Sequence, residues 1–302
     1  MKSSTLPSFA LSIGVIWIIA FAPKAAATTF FEQAFVCPIG GEEFTAAVVG
    51  SNTTFGSRPD GRPYSPLPVY PITECPGNGF LIFQDEWTDE ELAILEAAVE
   101  TREYQQMRAE ETPYYRLWWL AGQVDAPAHI LARHLMVASW ETDGNIARKT
   151  RYQQAFADAV ASLDRTAETG NWFWLSLRAA NARRELGQFE AAETEFAAVE
   201  QSLPAISEER EREYTVEFLT VQRQLIAEGN AASEPVTLVP AMSAIFRCVL
   251  AGNDLTESEV QACQSDDVQE AIAGYTARTS DGARLSGVEA IRHVAARNQN
   301  NH

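Results

Sequence analysis

Two turns of nearly the same composition, Cys37-Pro38-Ile39-Gly40-Gly41 and Cys75-Pro76-Gly77-Asn78-Gly79, constrain this chain more than any other feature. A closed tetrahedral zinc site built from two such turns takes two ligands from each. Here each turn carries one thiol. Gly40 and Asn78 stand where the second thiolate of each turn would fall, and neither is a good zinc ligand. The two remaining sulfurs are expected to bond to each other, which needs Cβ atoms about 3.8 Å apart and draws the turns together as a metal would. A metal held by Cys37 and Cys75 with borrowed ligands is the alternative.

The compartment decides between them. Lys2, an apolar run over residues 9–22 and the small residues Ala25-Ala26-Ala27 form the pattern of a secretory signal. The run falls short of the roughly 20 apolar residues that cross a bilayer. Residues 1–27 are expected to be removed. That leaves an exported protein, periplasmic in a Gram-negative host, with no stable membrane insertion; a retained anchor is the alternative. In an oxidising compartment four cysteines read as two disulfides. Of the three possible pairings, Cys37 with Cys75 and Cys248 with Cys263 keeps each bridge within one local module.

The chain carries 23 basic and 41 acidic residues, for a net charge of −18. Losing the leader removes Lys2 and Lys24 and no acid, leaving 21 against 41, or −20. A field of that sign repels polyanions and offers no basic patch that would release counterions, which argues against nucleic acid as a partner. Hydrophobic residues make up 46% of the chain, enough for a sizeable core.

Residues 30–37 and 43–49 flank the first turn and read as a hairpin, as do residues 69–73 and 80–84 around the second. Residues 50–68, rich in Gly, Ser, Asn and Pro, read as an irregular loop carrying the sequon Asn52-Thr53-Thr54. Helix follows. Thr88 and Glu91 form a capping box, Trp87 and Leu92 a hydrophobic staple, and Leu92, Leu95, Val99 and Tyr104 fall on one face of a helix with no predicted break. Thr112 caps a helix that has Pro113 at its first position and ends at Gly122. Asp125 caps the next, through Trp140, and a turn at Asp143-Gly144-Asn145 leads to a long helix ending near Gly170. Residues 229–235 read as a linker. Beyond it, residues 238–251 and a helix boxed by Thr256 and Glu259 form a hairpin bridged by Cys248 and Cys263. Residues 265–275 continue as helix. Ser286 and Glu289 open a last helix with Ile291 and Val294 inward.

Residues 173–206 resemble a tetratricopeptide repeat, a unit of 34 residues with small residues where two helices touch, glycine at the turn and proline after the second helix. Ala180, Gly187, Ala192, Phe196 and Pro204 occupy the matching places; Arg183 and Val199 depart from the pattern. Residues 112–140, 145–169 and 207–228 look like degenerate relatives. The whole order of Cys-Pro turn, proline-rich loop, second Cys-Pro turn, Glu-rich helix, Tyr-Tyr-Arg-Leu-Trp-Trp-Leu helix and helical hairpins resembles an uncharacterised bacterial family over roughly residues 30–205. In that family a zinc-ribbon-like module precedes tetratricopeptide-like helices. The resemblance implies no activity, and with both turns altered it implies no metal.

For chemistry, His129 and His134 are five apart, about 140° around a helix, and do not share a face as a metal pair must. Gly-x-Ser-x-Gly is absent. Asp85 and Glu86, beside Trp87, are the carboxylate pair to examine for acid–base work on a glycan, with a polar helix entry as the plainer account. Tyr115, Trp118, Trp119, Trp140, Trp172 and Trp174, with Tyr114, are the recognition candidates, since repeat hairpins present a concave face on which aromatic anchors grip a peptide. Core packing is the plainer account of these too. Trp118 and Trp119, being adjacent, cannot share one core stripe, which leaves one of them free to face solvent.

The sequence thus predicts a mostly α protein: a leader (1–27), a disulfide-stapled ribbon-like β module (28–87), a tetratricopeptide-like helical domain (88–229) and a C-terminal helical region (236–302). Its expected role is to hold a protein or peptide, without catalytic residues, metal or cofactor. A carboxylate-dependent hydrolase acting on an envelope glycan and a purely structural envelope protein are the alternatives.

Overall fold

The computed structural model describes residues 28–165 and 169–299; the expected leader lies outside them. Strand β1 (Thr28–Val36) pairs antiparallel with β2 (Glu43–Asn52), with Val36 opposite Glu43. The first Cys-Pro turn closes this hairpin. The N–H of Cys37 donates to Glu42 O at 2.8 Å and that of Gly41 to Cys37 O at 3.2 Å. The second turn repeats the pattern between β3 (Thr73–Glu74) and β4 (Leu81–Ile82), with Cys75 N–H donating to Phe80 O at 2.8 Å and Gly79 N–H to Cys75 O at 3.0 Å. Both turns are therefore one local structure used twice.

Cys37 and Cys75 are disulfide-bonded, with Cα atoms 5.7 Å apart, and so are Cys248 and Cys263, at 5.6 Å. The first bridge closes 38 residues and the second 15. In the chain-entropy account these loops contribute about 4 and about 3 kcal/mol. Asn78, in the place of a missing thiolate, links the turns instead: its Nδ2 donates to Ile39 O at 3.0 Å, and its Oδ1 accepts from Phe80 N–H. Gly79 has φ +78°, and a Cβ there would sit 2.5 Å from Arg108. Arg108 reaches across to donate to Pro76 O, Gly77 O and Glu74.

The helices are α1 (Asp89–Val99), α2 (Arg102–Glu110), α3 (Pro113–Gln123), α4 (Ala128–Trp140), α5 (Ile146–Ala161), α6 (Thr169–Glu185), α7 (Phe189–Glu200), α8 (Glu209–Ala227), α9 (Ala241–Leu250), α10 (Glu257–Cys263), α11 (Asp266–Gly274) and α12 (Gly287–Gln299). The Thr88 box on α1 forms as expected. The helix it starts is shorter than expected. Thr101 Oγ1 accepts from Tyr104 N–H at 3.1 Å and donates to Ala98 O, so it caps a new helix and breaks the run. Asp125 takes φ 52° and caps nothing; α4 begins after Pro127. Gly170 lies inside α6 rather than ending α5. A short hairpin, β5 (Thr276–Arg278) with β6 (Arg284–Ser286), stands where sequence patterning placed no strand.

Consecutive helices from α3 to α8 pack against each other, and α4 also meets α6. Within α6 and α7 the small and aromatic positions of the repeat pattern, Ala180, Ala192 and Phe196, are fully buried, and Gly187 turns the chain at φ +72°. The core of the two Cys-Pro turns runs without a break into α1–α3 through Phe80, Leu95, Tyr104 and Leu117. A second core fills the space among α4–α6, a third lies among α6–α8, and a fourth serves α9–α12. No helix among the described residues is long and apolar enough to cross a membrane.

His134 on α4 packs toward the Tyr114 ring, 6.3 Å between centroids. Burial, with Arg133 adding to it, lowers its pKa to about 4. As pH falls below about 6.5 the unfolded chain takes up this proton while the native state refuses it until about 4, so stability is lost through that window. Melting temperature against pH should therefore fall less steeply between pH 6.5 and 4 in His134→Gln than in the parent. Identical slopes would show that His134 is not held neutral.

Candidate binding groove

Side chains three and four residues apart share one face of a helix. On α4 that face carries His129, Arg133, Met136 and Trp140; on α6 it carries Trp174, Leu175 and Arg178; on α8, Tyr214, Phe218 and Val221. The three faces line a groove, and the loop expected to be irregular enters it. Residues 55–64 form a tight hairpin-like excursion. Phe55 N–H donates to Tyr64 O at 2.8 Å, Tyr64 N–H to Gly56 O at 2.9 Å, Arg58 N–H to Arg62 O at 2.8 Å and Gly61 N–H to Arg58 O at 2.9 Å. Pro59-Asp60-Gly61 forms the tip, as that tripeptide favours. Gly61 has φ +89°, and a Cβ there would lie 3.2 Å from Arg178 Nε and 3.6 Å from Trp140 Cζ2, so glycine is needed for both shape and room.

Ion pairs hold the tip. Arg58 is buried and donates to Asp60 Oδ2 and Asp143 Oδ2, both at 2.6 Å. Asp143 also takes Lys149 Nζ at 2.7 Å and Arg62 Nη1 at 2.5 Å. Burial works against the Arg58 charge, but the Asp60 and Asp143 carboxylates outweigh it and raise its pKa. In turn, Arg58 and Lys149 overcome the burial of Asp143 and hold its carboxyl below the usual range. Behind this cluster lies Glu185, which accepts from Gln153 and Asn181 at 2.7 Å each; burial, reinforced by Asp60, pushes its carboxyl up. Asn181 continues the seam to Gln222 on α8 and to the fully buried Arg184.

The tip divides the groove into two cavities. One, about 340 Å³, lies between the tip and α8, walled by Arg58, Tyr214, Phe218 and Pro240. The other, about 400 Å³, lies between α4 and α6, walled by Arg133, Trp140, Trp174, Arg178 and Gly61. Volumes of this order suit a small molecule or a few residues of peptide. Arg178 stands at the divide. It donates to Pro59 O at 2.7 Å and lies 5.7 Å from the centre of the Phe218 ring, against the first cavity, while lining the second. Burial pulls its pKa below the ordinary arginine value, with Tyr214 and Asp60 opposing.

Of the aromatic candidates, Trp140 and Trp174 line the second cavity, Trp174 at 37% exposure. The other four are taken up in packing. Tyr115 stacks on Tyr152 at 4.4 Å beneath Arg151, and Trp118 lies 5.0 Å from Tyr115 against the α4–α6 core. Trp119 packs on Tyr104 in the other core, so neither of the adjacent tryptophans is the exposed one: α3 is sandwiched between two cores and buries two faces. Trp172 lies under Arg165. Asp85 and Glu86 are exposed and line neither cavity. The Asn52 side chain is engaged by Leu67 O, Thr28 and Ser65. Among the described residues no three His, Cys, Asp or Glu side chains gather as a metal site requires.

Sequence reasoning missed Arg58, Asp60, Arg133 and Arg178. The turn signal in Pro59-Asp60-Gly61 was there to find; its partners, some 80 to 120 residues away, carry no signal of their own. Comparison with protein-family models, curated proteins and solved structures gives no match to this chain.

Proposed function

We propose that the protein is an exported scaffold whose tetratricopeptide-like helices hold a peptide or a segment of a partner protein in the groove along α4, α6 and α8. The observation that carries this reading is the cavity between α4 and α6, open at the surface and walled by two tryptophans that the core does not consume. Aromatic side chains presented by a rigid helical face are the usual anchors of peptide recognition. Two disulfides suit an exported, oxidised setting, periplasmic in a Gram-negative host. A glycan hydrolase would need two carboxyls facing one cavity, about 5–9.5 Å apart. Asp60, Asp143 and Glu185 are locked in the polar seam and line neither cavity, so they lend that alternative no support.

The test places a photo-crosslinking amino acid at position 174 and, as a control, at exposed Tyr70. Position 174 is expected to yield a discrete adduct in envelope extract that excess unlabelled protein competes away, and position 70 none. Equal, non-competed labelling at both positions would contradict the reading.

A further inference from the structure

We infer that the cavity between α4 and α6 receives a carboxylate of the bound peptide, with aromatic or aliphatic side chains on either side of it. The inference rests on the peptide-holding reading above and adds the chemistry of the occupant. The chain has 41 acidic and 23 basic residues, so an average stretch of its surface is acidic. This cavity reverses that balance: among the described residues its walls include Arg133 and Arg178 and no Asp or Glu.

Neither arginine has a carboxylate to itself. Among the described residues neither is in an ion pair, in a protein where Arg58, Arg108, Arg116, Arg183, Arg223 and Arg247 all are. The carboxylate that acts on Arg178 is that of Asp60, and it is taken by the Arg58 guanidinium at 2.6 Å and the Arg62 N–H at 3.0 Å. Pro59 O and the Tyr214 hydroxyl engage Arg178, which leaves further N–H donors of its five. Partial burial of the Arg178 guanidinium beside a carboxylate already committed to Arg58 is costly, and an arriving anion lowers that cost.

A second observation comes from the wall itself. Trp140 Nε1 is buried and has no hydrogen-bond partner among the described residues. A buried indole N–H normally finds an acceptor. Trp140, Trp174, Met136, Ile130 and Leu175 supply the apolar remainder of the cavity. A bare inorganic anion would use the arginines and leave these walls wet, whereas a carboxylate flanked by apolar side chains uses both.

Titration calorimetry on the full chain with its disulfides intact tests this with three probes. These are N-acetyl-Ala-Leu-Phe with a free C-terminal carboxylate, the same peptide amidated, and amidated N-acetyl-Ala-Asp-Leu-Phe. At low salt the free acid is expected to bind at least about tenfold tighter than its amide, the size of one charge-assisted hydrogen bond. The difference should narrow as salt is added. Arg133→Gln is expected to abolish most of the difference while leaving the melting temperature nearly unchanged at neutral pH, because Arg133 is exposed and its side chain is in no ion pair among the described residues. Trp174→Ala should weaken all three probes. Tight binding of the Asp-containing amide assigns the recognised carboxylate to a side chain and supports the inference equally. Acid and amide binding alike, with Arg133→Gln without effect, overturns the carboxylate and leaves the scaffold reading standing. Failure of all three to bind at millimolar concentration overturns both.

Discussion

Arg58→Ala is expected to cost about 3–5 kcal/mol of stability, the usual result of removing one partner from a buried ion pair. Its side chain is 3% exposed, and that of Asp60, one of its two partners at 2.6 Å, 7%. With the guanidinium gone, Asp60 keeps, among the described residues, only the Arg62 N–H, and the tip at Pro59-Asp60-Gly61 loses its buried tie to Asp143. At a few degrees per kcal/mol for a chain of this size, the melting temperature should fall by roughly 10 °C. Arg62→Ala removes a more exposed contact to the same carboxylate and should cost under about 1 kcal/mol. Urea denaturation of the two variants side by side checks the ordering. Equal costs would mean that the tip is held by something other than the Arg58 pairs.

Arg184→Ala should be the other severe change, at roughly 4 kcal/mol or more, since it combines a large cavity with several orphaned acceptors. Arg184 is fully buried on α6. It donates to Asn181 Oδ1 at 3.0 Å, Gln222 Oε1 on α8 at 2.8 Å, Asn230 O at 2.8 Å and Ala232 O at 2.9 Å. One side chain thus ties the helical array to the segment that leads into α9–α12. Lysine cannot reproduce the fork, so Arg184→Lys should recover little. Residues 236–299 have their own core and disulfide, so Arg184→Ala is expected to split a single unfolding transition into two, the C-terminal region separating from the groove. A single transition shifted by under about 1 kcal/mol would contradict this.

What could be read from the sequence was local. The Thr88 box, Pro113 at a helix start and the two Cys-Pro turns each depend on residues close together in the chain, the cysteine pairing on each bridge staying within one module, and the structure contains all of them. The break at Thr101 was hidden because threonine inside a run of helix formers serves equally as an interior residue or a cap, and only the Tyr104 N–H that donates to its hydroxyl decides. Trp118 and Trp119 were judged as if α3 had one buried face. The groove was the least legible part. Its wall is a loop whose composition signals a turn but not a destination, and its cationic lining comes from Arg133 and Arg178, 45 positions apart on separate helices, in a chain whose overall charge points the other way.

The account turns on residues 55–64 being a fixed wall of the groove, enclosed by the Cys37–Cys75 bridge and pinned through Arg58 and Arg178. Native-state hydrogen exchange at the amides of Phe55, Arg58, Gly61 and Tyr64 measures this directly. These amides are predicted to be protected to a degree comparable with those of α6, and to lose protection in Arg58→Ala. Exchange at the rate of an unstructured peptide while α6 stays protected would contradict it.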